Sequence, residues 1–91
     1  MIEEKILKFE CVLDRIFYPK YSKKIKSGEF GIFKVNITKL LEFTNYDKPQ
    51  IKLKGICPSV EYGTTYKVYC KLSEVNEQYG DTYEIVYISK C

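Results

Sequence analysis

The segment from Ile51 to Ile85 alternates apolar and polar residues in short runs that are separated by turn-forming residues. In its first run, Ile51 and Leu53 alternate with Lys52 and Lys54. Successive side chains of a β-strand point to opposite faces, so this alternation predicts strands with one buried face. A second run repeats the pattern, with an apolar set at Tyr66, Val68, Cys70 and Leu72. The segment lacks a helical period, and we therefore predict short strands joined by tight turns.

The composition extends this prediction to the whole chain. Strand-favouring Ile, Val, Thr, Tyr and Phe supply 35 of the 91 residues, whereas Ala, the strongest helix former, is absent. A chain of this length buries only about 60 to 70% of its unfolded surface, which suffices for one core. We therefore expect residues 1–91 to form a single all-β domain.

Alternation and turn residues together predict five strands. They run from about Lys5 to Phe17, Phe30 to Ile37, Gln50 to Cys57, Thr64 to Leu72 and Thr82 to Ile88. A long polar connection, in which only Ile25 is aliphatic, separates the first two strands. The TKLLEF segment, residues 38–43, is either a strand extension or a single helical turn.

The phase of each strand predicts which side chains are buried. Leu7, Phe9, Cys11 and Leu13 are expected to face the core from the first strand. In the last strand, Tyr83, Ile85 and Tyr87 are expected to share one face. Ile32, Val86 and Ile88 lie off the main apolar phase, which makes them candidates for an exposed patch.

The sequence offers little for metal, cofactor or catalytic chemistry. Four cysteines at positions 11, 57, 70 and 91 show no Cys-x-x-Cys spacing, and the chain has no histidine. A zinc set and the commonest general base are thus both missing. Cys11 and Cys70 fall on the apolar phase of their strands, where a reduced thiol behaves as a small hydrophobe. No glycine loop of the nucleotide-binding kind occurs, so we expect no cofactor, no metal and no enzymatic activity for this chain alone.

Neither a signal peptide nor a segment long enough to cross a bilayer is recognisable in the sequence. We therefore expect a cytoplasmic protein with no membrane partner. The acidic residues Glu74, Glu77, Asp81 and Glu84 cluster near the last turn. Their spacing does not fit a calcium loop, so we interpret them as solvated carboxylates.

Positive charge is concentrated in one part of the chain. Between Arg15 and Lys54 there are ten basic residues and three acidic ones. Such an excess favours a polyanionic partner. Within this region, the first connection places Lys20, Lys23, Lys24 and Lys26 beside Tyr18 and Tyr21. Cations for phosphates and rings for bases are the elements of a single-strand nucleic-acid site.

We hypothesise that eight residues form this site: Lys20, Tyr21, Lys23, Lys24, Lys26, Lys34, Lys52 and Lys54. The ordinary alternative is that these lysines only solvate a loop and protect strand edges. In that case the domain is a protein-interaction or packing module.

The strand order and loop lengths fit a known barrel type. Five strands with a long first connection and a short last hairpin are typical of the oligonucleotide/oligosaccharide-binding (OB) fold, a Greek-key barrel. The helix that usually lies between strands three and four would have to be reduced or absent, because only Pro58 to Gly63 are available for it.

Four motifs in order carry a more specific resemblance. They are FECVLDRIFY (9–18), GEFGIFKVNI (28–37), KLKGICPSVEYGTTYKVYC (52–70) and EQYGDTYEIV (77–86). Together they resemble the N-terminal OB-fold domain of RecD-like superfamily 1 DNA helicases. The chain departs from that pattern in its longer, lysine-rich first loop and in Glu29 and Gly31 at the turn into strand two.

The resemblance implies an accessory domain of an ATP-dependent DNA helicase rather than its motor. It also implies that the chain is the N-terminal fragment of a longer protein, with a free-standing relative as the alternative. Single-stranded DNA and the helicase core of the same chain are the partners expected on this basis.

Overall fold

The computed structural model describes residues 6–41, 44, 46–75, 78 and 80–91. Strands account for most of them. The five long strands are β1 (Ile6–Tyr18), β3 (Phe30–Leu40), β4 (Gln50–Ile56), β6 (Thr65–Glu74) and β7 (Thr82–Lys90). Two strands of two residues each, β2 (Lys24–Ile25) and β5 (Val60–Glu61), lie in the connections.

The long strands close into a barrel in the order β1-β3-β4-β7-β6. Neighbours in the barrel are antiparallel except for β4 and β7, which pair in parallel over Lys52 to Lys54 and Thr82 to Glu84. This closure removes the exposed strand edges on which a short β-domain would otherwise aggregate. The predicted all-β, five-stranded OB-fold-like barrel is therefore confirmed. Residues 57–64, between the third and fourth barrel strands, contain only β5 and no helix.

The barrel interior is filled by the alternate residues of each strand. Phe9, Phe33, Leu53 and Val68 are completely buried, each from a different strand. The predicted inward set of β1, which is Leu7, Phe9, Cys11 and Leu13, is confirmed. Burying a side chain of this size stabilises the fold by about 1.5 to 3 kcal/mol, and the barrel gathers these contributions in one cluster.

The first connection also contributes to the core, which the sequence did not indicate. Ile25 of β2 pairs with Val60 of β5, and both side chains are fully buried in the core cluster. The backbone of the same connection is tied to the end of β4, because Gly28 N donates a hydrogen bond of 2.9 Å to Cys57 O. The middle of the lysine-rich connection is therefore held against the barrel.

Several predicted strand limits need correction. β1 ends at Tyr18, β3 continues to Leu40, and β7 continues to Lys90. Of residues 38–43, predicted as either a strand extension or a helical turn, 38–40 extend β3 as a strand. Residues 42 and 43 lie outside the described residues. Lys5, the predicted start of the first strand, also lies outside them.

A bulge in β7 overturns two predictions about side-chain direction. Tyr69 pairs with Tyr87 and Cys70 with Ile85, so Val86 is an extra residue that reverses the phase of the strand. Tyr87 is consequently exposed instead of sharing a face with Tyr83 and Ile85. Ile88 packs against the core, so the prediction of its exposure is wrong, whereas Val86 is 54% exposed as predicted.

Candidate nucleic-acid interface

Two irregularities near the end of β1 bring large apolar side chains to the barrel surface. The pairing of β1 with β3 shifts between Leu13 and Arg15 and again between Ile16 and Tyr18. Each shift inserts an unpaired residue and reverses the alternation. Ile16 still packs against the core, whereas Phe17 and Tyr18 are 39% and 53% exposed.

Phe17 and Tyr18 join apolar residues of β3 and β4 in one surface. Phe30 and Ile56 are opposite each other in the β3–β4 pair and are 44% and 69% exposed. The Tyr18 and Phe30 ring centroids are 6.3 Å apart. Tyr18 is also the register partner of Ile32. We call the five residues the aromatic face: Phe17, Tyr18, Phe30, Ile32 and Ile56. Four of them are exposed and Ile32 is half-buried. Contiguous apolar surface of this kind usually marks a binding site.

Lysines border the aromatic face. Phe17 and Ile32 line a groove of about 380 Å³ together with Lys34 and Lys52. The two lysines are direct partners in the β3–β4 register. Like charges directly opposite each other across two strands destabilise a sheet. The repulsion between Lys34 and Lys52 therefore lowers the stability of the sheet, and it places two positive charges beside the Phe17 ring.

A second pocket of about 340 Å³ continues from the same two lysines. We call it the basic pocket, and its polar lining consists of Lys34, Tyr46, Lys48, Gln50, Lys52, Asp81 and Tyr83. The Tyr46 hydroxyl donates a hydrogen bond of 3.0 Å to Gln50 O, and its ring meets that of Tyr83 edge-on at 6.1 Å. Burial raises the pKa of Tyr46 to about 12, so its hydroxyl stays protonated near neutral pH.

A small polar network fixes the neighbourhood of Lys34. Asn36 Nδ2 donates a hydrogen bond of 3.2 Å to Asp14 Oδ1, and Gln50 Nε2 donates one of 2.8 Å to Asn36 Oδ1. Lys34 Nζ lies 3.8 Å from Asp14 Oδ2, a distance at the outer limit of an ion pair. Asp14 therefore orients Lys34 and offsets part of the repulsion from Lys52, at a surface position where such pairs are weak.

Lys54 differs from the other two strand lysines because it has a close acidic partner. Its Nζ lies 2.9 Å from Glu74 Oε1. The hydrogen bond from Lys54 holds the pKa of the Glu74 carboxyl below its usual value. Lys54 is thus less available to an anion than Lys52. Of the predicted acidic cluster near the last turn, Glu74 pairs with Lys54 and Asp81 lines the basic pocket, while Glu77 lies outside the described residues.

The predicted site residues fall into two groups in the structure. Lys34 and Lys52 come together in one groove, with Lys54 next along β4. Tyr21, Lys23, Lys24 and Lys26 project from the first connection, all of them exposed, and Lys20 Nζ lies 5.5 Å from the Tyr21 ring centroid. Among the described residues, these loop side chains share no hydrogen bond, ion pair or ring contact with Lys34 or Lys52.

Sequence reasoning missed Arg15, Phe17, Phe30 and Lys48 as site residues, and it noted the Tyr18 ring without including it in the predicted site. Arg15 Cζ lies 5.5 Å from the Phe17 ring centroid, within the range of a cation–π interaction. One signal was present: Ile16, Phe17 and Tyr18 are three consecutive large apolar residues, which one strand face cannot bury together. Lys48 gave no signal beyond its charge.

The three buried cysteines do not form a reactive centre. Burial raises the pKa of Cys11 and of Cys70 to about 12 and that of Cys57 to about 11. Thiols with such values stay protonated near neutral pH and react slowly as nucleophiles. Within the described ranges, no group of three or more His, Cys, Asp or Glu residues is placed to hold a metal ion.

Comparison with known proteins gives no relative from which a function could be transferred. The chain matches no protein-family model, no curated protein and no solved structure. The part of the chain that the structure describes contains no helix able to span a membrane.

Proposed function

We propose that this domain binds single-stranded nucleic acid on the aromatic face and the lysines beside it. The observation that carries the proposal is the shared groove of Phe17, Ile32, Lys34 and Lys52. An exposed ring offers a stacking surface to a base, and adjacent lysines offer positive charge to the phosphates on either side of that base. Strands β3 and β4 are also the second and third strands of the barrel, where this fold commonly binds oligonucleotides.

A single strand fits this surface better than a duplex does. Stacking on Phe17 or Phe30 requires bases whose faces are free, which paired bases inside a helix do not offer. The outer face of β3 from Phe30 to Asn36 spans six residue steps of about 3.3 Å each, or about 20 Å. That length accommodates about four to six nucleotides, at the lower end of the range for one OB barrel.

We further propose that the strand is DNA and that the barrel is an accessory domain of a RecD-like helicase. The order of the four sequence motifs supports this, as does the match between the predicted and observed barrel. The reading frame beyond Cys91 tests it. A nucleotide-binding glycine loop downstream is the expected result, and a stop codon directly after Cys91 would contradict it.

One observation favours a second candidate function. Ile56 is 69% exposed, and an aliphatic side chain gains more from an apolar protein surface than from a nucleic-acid base. On this alternative, the aromatic face docks the barrel against the helicase core of the same, longer chain. Ile56→Ser would then weaken docking, whereas Lys34→Gln would not.

A titration of labelled oligothymidylate at 50 and 200 mM salt tests the main proposal. We expect binding at low salt that weakens at high salt, because phosphate contacts release counterions. Lys34→Gln should weaken binding, whereas Lys90→Gln, an exposed lysine at the end of β7, is the matched control and should not. Absence of binding by the unmodified protein at 50 mM salt would refute the proposal.

A further inference from the structure

The basic pocket lies beyond the aromatic face and continues from it. Lys34 and Lys52 line both the groove at Phe17 and the basic pocket. Lys48 lies on the far side, on the segment that leads into β4. The pocket is lined by three lysines and one acid, Asp81, so the formal charge of its lining is positive.

The backbone around Lys48 is held in place. Ile37 N donates a hydrogen bond of 2.8 Å to Pro49 O, which fastens the residue after Lys48 to β3. Tyr46, two residues before it, is fastened by its hydroxyl to Gln50 O at 3.0 Å. Fixed flanking residues limit the positions that the Lys48 side chain can reach, which lowers the entropy cost of binding an anion.

The three lysines differ in how much of their charge is already used. Lys34 shares its charge with Asp14, whose Oδ2 is 3.8 Å away. Among the described residues, Lys48 and Lys52 have no ion pair within 4.0 Å. Their charges remain available to an anion that enters the pocket.

We infer that the basic pocket binds a phosphate group of the strand whose bases lie on the aromatic face. The bound strand then crosses β3 and β4 over Lys34 and Lys52 and ends its contact at Lys48. The inference rests on the proposed function and adds the path of the strand to it. It also assigns a role to Lys48 that differs from stacking: a point charge that contacts one phosphate and no base.

The salt dependence of binding separates this role from a stacking role. Each phosphate contact on a single strand contributes about −0.7 to the slope of log affinity against log salt concentration. We expect Lys48→Gln to make this slope less negative by about 0.7 for a labelled twelve-residue oligothymidylate and to weaken binding several-fold at 50 mM salt. Lys90→Gln, the control, should change neither quantity. Lys48 and Lys90 are both exposed, and matching thermal unfolding curves would show that both variants fold.

The outcomes distinguish the inference from the proposal beneath it. If the unmodified protein binds and Lys48→Gln has the same affinity and slope as Lys90→Gln, the inference is wrong while the proposed function stands. Equal losses in both variants would also overturn it, because they would indicate a diffuse charge effect. If the unmodified protein does not bind, the proposed function fails and the inference fails with it.

Discussion

Ile25 Cδ1 occupies the space that a side chain at position 31 would need. A β-carbon built on Gly31 would lie 2.5 Å from Ile25 Cδ1 and 3.2 Å from its Cγ1. Ile25 belongs to the lysine-rich connection and is fully buried, so the missing side chain of Gly31 lets this connection pack against β3. The position of the loop beside the aromatic face thus depends on a glycine in the neighbouring strand.

Gly31→Ala should destabilise the domain through this contact. The added methyl group overpacks a filled part of the core, and such changes cost about 1 to 3 kcal/mol. Urea unfolding followed by circular dichroism measures the free energy of unfolding directly.

A second substitution tests whether Ile25 is the cause. Ile25→Val removes the Cδ1 atom and alone should cost about 0.5 to 1.5 kcal/mol. Combined with Gly31→Ala, it should cost less than the sum of the two single changes, because the clash is relieved. Strict additivity would show that Gly31→Ala acts through something other than Ile25.

Lys52→Gln should separate stability from binding. Lys52 lies directly opposite Lys34, and removing one of two facing like charges relieves a repulsion worth about 0.2 to 1 kcal/mol. We expect the free energy of unfolding to rise by an amount in this range at low salt. Oligothymidylate affinity should fall in the same variant, because a phosphate contact is lost.

The control for this change is the same measurement at 1 M salt, where the Debye length is about 3 Å and the gain in stability should largely disappear. A variant that is less stable than the unmodified protein at low salt would mean that Lys52 is held by a favourable contact, contrary to its proposed role.

Much of the barrel was predictable because alternation reports burial directly. The inward residues Leu7 to Leu13 of β1, and Ile51 and Leu53 of β4, followed from phase alone. The candidate site was harder to predict, because it lies where bulges interrupt the regular alternation of buried and exposed residues. Bulges beside Phe17 and at Val86 insert single residues, and their placement depends on pairing with strands distant in sequence. Burial of Ile25 depends likewise on Val60, thirty-five positions later in the chain.

Phe17→Ala should weaken binding to single-stranded nucleic acid without changing its salt dependence. Stacking of one base on an aromatic ring contributes about 1 to 3 kcal/mol, which corresponds to a loss of about five- to 150-fold in affinity. Tyr87→Ala is the matched control, since Tyr87 is an exposed ring that packs on Tyr69, with centroids 5.2 Å apart, away from the aromatic face. Equal effects of the two changes would argue against stacking at Phe17.

Stability should decline at alkaline pH because of the buried thiols. The pKa of Cys57 is raised by burial from 9.0 to about 11, and those of Cys11 and Cys70 reach about 12. Below pH 9 the thiols are protonated in both states, so their full contribution to stability is present. Above pH 9 the unfolded chain loses these protons while the folded chain keeps them, and the free energy of unfolding falls as pH rises towards the folded-state values.

Cys57→Ala isolates one thiol in this pH dependence. Burial raises its pKa, and its Sγ donates a long hydrogen bond of 3.6 Å to Gly55 O. The variant should be less stable at pH 8, but between pH 9.5 and 10.5 its stability should fall less steeply, by about 1 kcal/mol per pH unit. Urea unfolding at three pH values gives this slope. Cys91→Ala is the control, because Cys91 is exposed and its loss should leave the Cys57 contribution to the slope in place. If Cys57→Ala keeps the full slope, ionisation of this thiol does not contribute to alkaline unfolding.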